Sequence, residues 1–226
     1  MTMNNLEDII TDIFEQNADP QKAIEMSQYM RNLHSYYGIS KPLRSAATKP
    51  VLQELKKVAP DIKLILALWD KPQREYQYFC LEYLFATKKY WTQDLIEVLE
   101  QLITRKSWWD TVDTLAVRIV GEYFKKWPQN KTKIIGQWSD SDNMWLNRTA
   151  ILFQLKYKDQ LDEDLLYSIM RNHAHSKEFF VQKAIGWALR EYAYTHPESV
   201  RDFITCTPLK PLSKREATKR MIFKSS

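Results

Sequence analysis

Residues 106–116 read KSWWDTVDTLA and place two adjacent tryptophans and two acids where the pattern predicts a helix start. Ser107 followed by Asp110 resembles a capping box, so we expect Ser107 to cap this helix. An acid in the first turn complements the helix dipole, which gives Asp110 a structural role. Asp113 lies a turn further in, where aspartate is a poor helix former, on one face with Trp109 and aliphatic residues. Because a lone carboxylate there carries a desolvation cost, Asp113 is a candidate functional residue.

Helical patterns recur along the chain, and every second one begins near residue 72, 107, 142 or 177. This spacing of about 35 residues is typical of stacked helical pairs of the HEAT or tetratricopeptide type. The chain has only four glycines, and no hairpin turn signal appears. We therefore predict an all-α fold, an α-solenoid (superhelix) of about six HEAT-like helical pairs plus a terminal helix, forming a single domain over residues 1–226.

The limits of individual helices follow from local start and stop signals. Asp19 and Pro20 predict a helix start, and Gly38 predicts its end. Ser213 and Glu216 predict a capping box for the last helix. The predicted helices are 5–16, 20–37, 42–57, 61–70, 72–88, 92–105, 107–127, 129–138, 142–156, 162–172, 177–195, 197–205 and 213–223.

Equivalent positions of stacked repeats align on one face, so a step of about 35 residues predicts which side chains are neighbours. Steps from Asp113 reach Arg148 and then Lys183, which predicts a row of charged groups. Trp109 and Trp187 each lie one turn from a member of this row, and we expect them to be functional. The other six tryptophans are expected in the core or at its rim. An alternative for Asp113 and Arg148 is a structural ion pair between repeats, although it would not explain Lys183.

The charge distribution is uneven. The chain has 33 Lys and Arg against 28 Asp and Glu, a net charge of +5. From residue 171 onward, 11 basic residues face 5 acidic ones, so the first 170 residues are close to neutral. A basic C-terminal third suits a polyanion such as nucleic acid, and a solvated charged surface is the alternative.

Several classes of function lack their sequence patterns. The acidic, polar N-terminus does not resemble a signal peptide, and no apolar run approaches the roughly 20 residues that span a bilayer. Cys80 and Cys206 lie far apart, which predicts free thiols in a reducing cytoplasm. His173 and His175 have no third clustered ligand, so we expect no metal site. Phosphate-binding glycine loops and the G-x-S-x-G elbow are missing.

Five stretches carry a resemblance to a known family: YYGISKPLR at 36–44, KSWWDTVD at 106–113, SDNMWLNRTAILFQLKYK at 141–158, KEFFVQKAIGWALREYA at 177–193 and LSKREATK at 212–219. They resemble the AlkD-type DNA alkylation-repair proteins, helical-repeat DNA glycosylases that release alkylated purines. The resemblance runs nearly end to end and implies a catalytic set of Trp109, Asp113, Arg148 and Trp187. The loop at residues 40–41 varies in that family, so no base contact is assigned to it.

The resemblance implies a monofunctional glycosylase without cofactor, acting on double-stranded DNA that contains 7-alkylguanine or 3-alkyladenine. Asp113 would stabilise the oxocarbenium-like sugar and orient water. The expected phosphate contacts are Arg148, Lys183, Arg190, Lys214, Arg215 and Lys219. We expect a monomer in the cytoplasm, on the nucleoid when bound to DNA. The alternative is a helical-repeat scaffold that binds nucleic acid or protein without chemistry. Asp113 separates the two, because a carboxylate facing phosphates weakens plain DNA binding.

Overall fold

The structure, a computed structural model, describes residues 3–219, and the chain divides between Val98 and Leu99 into two compact units. Within the described range the regular structure is helical, and extended pairing is limited to one isolated bridge between Ser35 and Gln73. The predicted all-α class is confirmed. The structure does not test whether the chain is one domain, and this stays a prediction.

The first unit is built from helices that pack against their neighbours in the chain. Helix α1 contacts α3 and α4, and α5 contacts the same two helices. Nine of the 13 residues of helix α5 are buried, including the charged residues Arg74 and Glu75. The helices are α1 (Met3–Gln16), α2 (Pro20–Tyr29), α3 (Lys41–Leu55), α4 (Ile62–Asp70) and α5 (Arg74–Ala86), followed by a 3-10 turn (Lys88–Tyr90) and by α6 (Leu95–Thr104), which crosses into the second unit.

Helix α2 begins as predicted and ends early. The Asp19 carboxylate accepts the backbone N–H of Lys22 at 3.1 Å, and Pro20 occupies the first helical position. The predicted extension to residue 37 is wrong, because Arg31 and Asn32 adopt left-handed φ angles of 58° and 57° that end the helix.

The segment before α3 is held by a buried carboxylate. The side chain of Glu75 is fully buried and accepts the backbone N–H groups of Tyr37, Gly38 and Ile39 at 3.0–3.1 Å. The prediction that Gly38 ends a helix is wrong, but a glycine is required at this position. Its φ is +87°, and a Cβ atom would lie 2.1 Å from the Asp19 carbonyl oxygen.

The second unit is centred on one buried helix. Every residue of α10 after its first is buried, and α10 contacts α7, α9, α11 and α12. The elements are α7 (Trp109–Thr114), a π-helical segment (Leu115–Val120), α8 (Gly121–Lys126), a 3-10 turn (Pro128–Asn130), α9 (Lys131–Ser139), α10 (Met144–Leu152), a 3-10 turn (Lys158–Gln160), α11 (Glu163–Asn172), α12 (Phe179–Tyr192), α13 (Pro197–Cys206) and α14 (Pro211–Thr218).

A repeated hydrogen bond supports the 35-residue period. Side-chain amides of Gln77, Asn147 and Gln182 donate to carbonyl groups at the end of the preceding helix or in the turn that leads into their own helix. These positions differ by two steps of 35 and then one, and Asn147 and Gln182 come directly before Arg148 and Lys183 of the charged row. The equivalent residue in the remaining repeat is Val112, which has no such amide. These amide-to-carbonyl hydrogen bonds were not predicted from the sequence, although the spacing of the amides could have revealed them.

The last described helix starts earlier than predicted. Helix α14 begins at Pro211, so the expected capping box of Ser213 and Glu216 is wrong. The Ser213 hydroxyl donates instead to the Gln182 carbonyl at 3.0 Å, which ties α14 to α12. Residues 220–223 of the predicted helix lie outside the described residues.

Candidate active site

The turn that leads into α7 differs from the predicted one. Trp108, with extended backbone, is the N-cap residue, and the helix begins at Trp109. The Ser107 hydroxyl donates to the Ile103 carbonyl at 2.6 Å, so it serves the end of α6 rather than the start of α7. The predicted cap is wrong because Lys106 has a left-handed φ of 49°, which turns Ser107 back to the preceding helix.

The helix that carries Asp113 contains an unusual turn. Helix α7, the π-helical segment and α8 follow one another without a break, so the π turn begins two residues after Asp113. Such turns are rare and often occur at functional sites. Gly121 fixes this stretch: a Cβ there would lie 2.7 Å from the Phe153 carbonyl oxygen, and the Tyr157 hydroxyl donates to the Gly121 carbonyl at 2.6 Å.

Asp113 and Arg148 form a two-pronged ion pair. Arg148 Nε donates to Asp113 Oδ1 at 2.7 Å, and Nη2 donates to Oδ2 at 2.9 Å. Nη1 donates to the backbone carbonyl of Phe180. The Arg148 side chain is 6% exposed, and that of Asp113 is 18% exposed. The carboxylate is therefore held in one orientation while part of it stays open to solvent.

An aromatic cluster lies beside this pair. The rings of Trp108, Trp145 and Phe180 meet with centroids 5.0–5.7 Å apart. The Arg148 guanidinium carbon lies 5.8 Å from the Phe180 ring centroid. These contacts connect α10, α12 and the start of α7, so the guanidinium is fixed on more than one side.

The electrostatics of Asp113 differ from those of other paired acids in the same unit. Burial raises the pKa of the Asp113 carboxyl above its usual value, although Arg148 acts in the opposite direction. For Asp162, burial also raises the pKa, but the Lys131 ammonium and the hydrogen bond from the Leu165 backbone N–H together outweigh it, so the pKa of this carboxyl is lowered. Ionised Asp113 is therefore disfavoured by its site even with its partner in place, as expected for a carboxylate positioned for a reason other than stability.

The two tryptophans singled out from the sequence are both partly exposed. Trp109 lies one turn before Asp113 on α7, and Trp187 lies two turns after Phe180 on α12. Positions seven apart share a helix face, so Trp187 follows the face of α12 that begins at the aromatic cluster. Four of the other tryptophans are buried, namely Trp69, Trp91, Trp138 and Trp145. Trp108 and Trp127 are half-buried, as predicted for the rim.

Three of the six predicted phosphate contacts surround Glu216, which the sequence had suggested only as part of a helix cap. Lys183 and Lys219 both contact Glu216 Oε1, at 3.0 and 2.6 Å, and Arg190 contacts Oε2 at 3.2 Å. Thus Arg148 meets Asp113 as the repeat predicts, while Lys183 pairs with α14. Lys214 and Arg215 are exposed on that helix.

Neither a metal site nor a membrane span is found in the part of the chain that the structure describes. The His173 ring nitrogen Nε2 lies within hydrogen-bond distance, 3.1 Å, of the Ser139 hydroxyl in the second unit. Cys80 is buried and Cys206 is exposed, and both are free thiols as predicted.

The fold and the site together define a helical-repeat protein that presents one partly open carboxylate, fixed by an arginine, near half-buried tryptophans. The chain belongs to the family of DNA alkylation repair enzymes, which matches over residues 10–221. The predicted α-solenoid fold class is consistent with this family.

Two solved structures resemble the protein. A predicted DNA alkylation repair enzyme from Enterococcus faecalis is 31% identical, with a TM-score of 0.85, and the match covers 92% of this chain and 98% of that one. The smu.31 protein from Streptococcus mutans UA159 is 16% identical, with a TM-score of 0.59, covering 80% of this chain and 99% of that one, and this likeness concerns the fold alone. No curated protein matched the chain.

Proposed function

We propose that this protein is an AlkD-type, monofunctional DNA glycosylase. It hydrolyses the N-glycosidic bond of cationic alkylated purines, 7-alkylguanine and 3-alkyladenine, in duplex DNA. Membership of the DNA alkylation repair family supports DNA repair as the process. The observation that carries the finer proposal is the Asp113 carboxylate, which Arg148 holds in place and which keeps 18% of its side-chain surface open.

The chemistry needs only one carboxylate. Cleavage of the N-glycosidic bond passes through an oxocarbenium-like sugar, which a nearby negative charge stabilises. A purine alkylated at N7 or N3 already carries a positive charge and leaves as a neutral base, so no general acid is required. Asp113 supplies the negative charge and orients the attacking water. The indole faces of Trp109 and Trp187 attract the cationic sugar through their ring quadrupoles.

The remaining cations bind the DNA backbone. Arg148, Lys183, Arg190, Lys214, Arg215 and Lys219 contact phosphates, which gives affinity without sequence preference. Arg148 also orients the Asp113 carboxylate, because three of its five N–H groups donate to Asp113 and to the Phe180 carbonyl. The strand stays intact, since a lyase needs an amine at the sugar and the Lys183 ammonium is bonded to Glu216. We further propose a monomer that acts in the cytoplasm on nucleoid DNA.

The test compares lesions of different charge under single-turnover conditions. Duplexes that differ only in 7-methylguanine, hypoxanthine or uracil are incubated with excess protein, and abasic sites are revealed by alkaline cleavage. We expect release of 7-methylguanine and none of the neutral lesions beyond the rate without protein. Release of uracil at a similar rate would contradict the account of a single carboxylate. No release from any duplex, with duplex binding retained, would leave the non-catalytic scaffold as the better interpretation.

A further inference from the structure

The C-terminal helix α14 brings one nearly buried carboxylate into the midst of three cations. The Glu216 side chain is 6% exposed, whereas those of Lys183, Arg190 and Lys219 are 36%, 23% and 51% exposed. Lys183 and Arg190 come from α12, and Lys219 directly follows α14. The Arg190 guanidinium also donates to the backbone carbonyl of Glu216 at 2.9 Å, so both ends of this residue are bound.

The charges in this cluster do not balance. Three cations surround one anion, which leaves an excess of two positive charges in a small volume. The Lys183 and Lys219 ammonium nitrogens contact the same oxygen, so they cannot be further apart than the sum of those two distances. Like charges this close repel one another, and an external anion relieves the repulsion.

Docking of α14 does not need a carboxylate with three partners. The backbone of α12 approaches α14 so closely at Gly186 that a Cβ there would lie 2.3 Å from the Glu216 Cβ and 2.9 Å from the Ser213 carbonyl oxygen. Ser213 and Ala217 are buried in this contact, and the Ser213 hydroxyl bonds to α12. Close packing therefore seats the helix, and the cation cluster needs a separate explanation.

We propose that Glu216 is a positioning residue that holds Lys183 and Lys219 together as one binding site for a DNA phosphodiester. Each ammonium group has three N–H donors and uses one on Glu216, so both retain donors for a phosphate oxygen. The exposed lysines contact the phosphate, while the nearly buried carboxylate does not. This site rests on the proposed function only in that the protein binds duplex DNA.

The sign of one mutational effect tests this role. Removing an acid from a surface that binds DNA ordinarily tightens binding. If Glu216 positions the lysines, Glu216→Gln instead weakens affinity for an undamaged duplex about tenfold, the effect of losing one charge-assisted contact. The salt dependence of binding also falls by about one phosphate contact. Glu122→Gln is the matched control, because it removes a carboxylate 3.0 Å from Lys125 elsewhere in the same unit. We expect this control to bind as well as the wild type or slightly tighter.

Two further measurements separate positioning from a merely structural role. In a Lys183→Ala/Lys219→Ala background, Glu216→Gln should cause no further loss, because Glu216 acts through those lysines. Hydrogen exchange should show that α14 stays protected in Glu216→Gln. Tighter or unchanged duplex binding by Glu216→Gln would overturn the proposal. So would a loss of affinity as large as in the wild-type background when both lysines are already alanine. Weaker binding together with loss of α14 protection would also overturn it. Single-turnover release of 7-methylguanine at saturating protein should remain at the wild-type rate, and failure of the wild type to release it would count against the proposed function alone.

Discussion

At the residue scale, the question is why Asp113 is ionised where its surroundings oppose it. A carboxyl whose pKa is raised on folding stabilises the fold only while protonated, and that contribution is lost as the pH rises through the folded pKa. Burial raises the pKa of Asp113 in this way, while the pKa of Glu216 is held at about 2, because its lysine partners outweigh burial. Glu216 therefore contributes stability above its unfolded pKa, and Asp113 does not. This contrast favours catalysis over a structural ion pair as the role of Asp113.

Replacing Asp113 by asparagine tests that role. We expect Asp113→Asn to slow single-turnover release of 7-methylguanine by about 10²–10³, because the charge that stabilises the sugar cation is lost. Duplex affinity should hold or increase, since a repulsion towards phosphates is removed. The free energy of unfolding should stay close to that of the wild type, because the folded state already disfavours the ionised carboxylate and asparagine keeps an acceptor for Arg148. Excision is measured below the unfolding temperature of the variant.

A second carboxylate-to-amide change controls for stability. Asp162 bonds to Lys131 at 2.6 Å and caps α11, and Asp162→Asn should destabilise the same unit without contact to the site. We expect normal excision from this control while it is folded. Near-normal excision by folded Asp113→Asn would remove Asp113 from the mechanism.

At the element scale, the helix that carries Asp113 is positioned by its π turn and by a close approach at Gly121. We expect Gly121→Ala to destabilise the protein by about 1–3 kcal/mol, because the added methyl group would lie 2.7 Å from a backbone oxygen that cannot move freely. Chemical denaturation measures this loss, and excision should fall as well if the helix shifts.

Gly136 provides the matched control for this change. It also lies in a helix of the second unit, and nothing lies within 4 Å of the position of its Cβ. Gly136→Ala should therefore stabilise the protein by about 0.4–1 kcal/mol through the unfolded chain. Equal effects of the two substitutions would show that the close approach at Gly121 does not constrain the helix.

At the scale of the whole molecule, duplex binding should depend on salt and not on sequence. Six cations are proposed to meet phosphates, and two carboxylates, Asp113 and Glu216, are bonded to members of that set. The slope of log affinity against log salt should then lie between about −3.5 and −5.5 for duplexes of unrelated sequence. A titration at several salt concentrations measures it, and a slope near zero would place the basic residues away from the DNA.

Sedimentation of the protein at the same salt concentrations tests the proposed monomer.

The sequence alone predicts the helical class, the length of the repeat and the meeting of Asp113 with Arg148. These follow from periodicity, because apolar spacing fixes the helices and a constant repeat length brings equivalent positions together. Trp109 and Trp187, which the same spacing singled out as functional, are partly exposed in the structure. Their catalytic roles stay predictions.

The tertiary structure alone decided which polar groups meet outside that row. Ser107 and Ser213 carry capping patterns, yet each hydroxyl bonds to a carbonyl of another helix. Glu75 and Glu216 are acids on helices like many others, and their partners, apart from Lys219, lie 26 to 38 residues away. A local pattern states which groups need a partner, but only packing determines which partner is near enough to bond, since a hydrogen bond is lost within a fraction of an ångström.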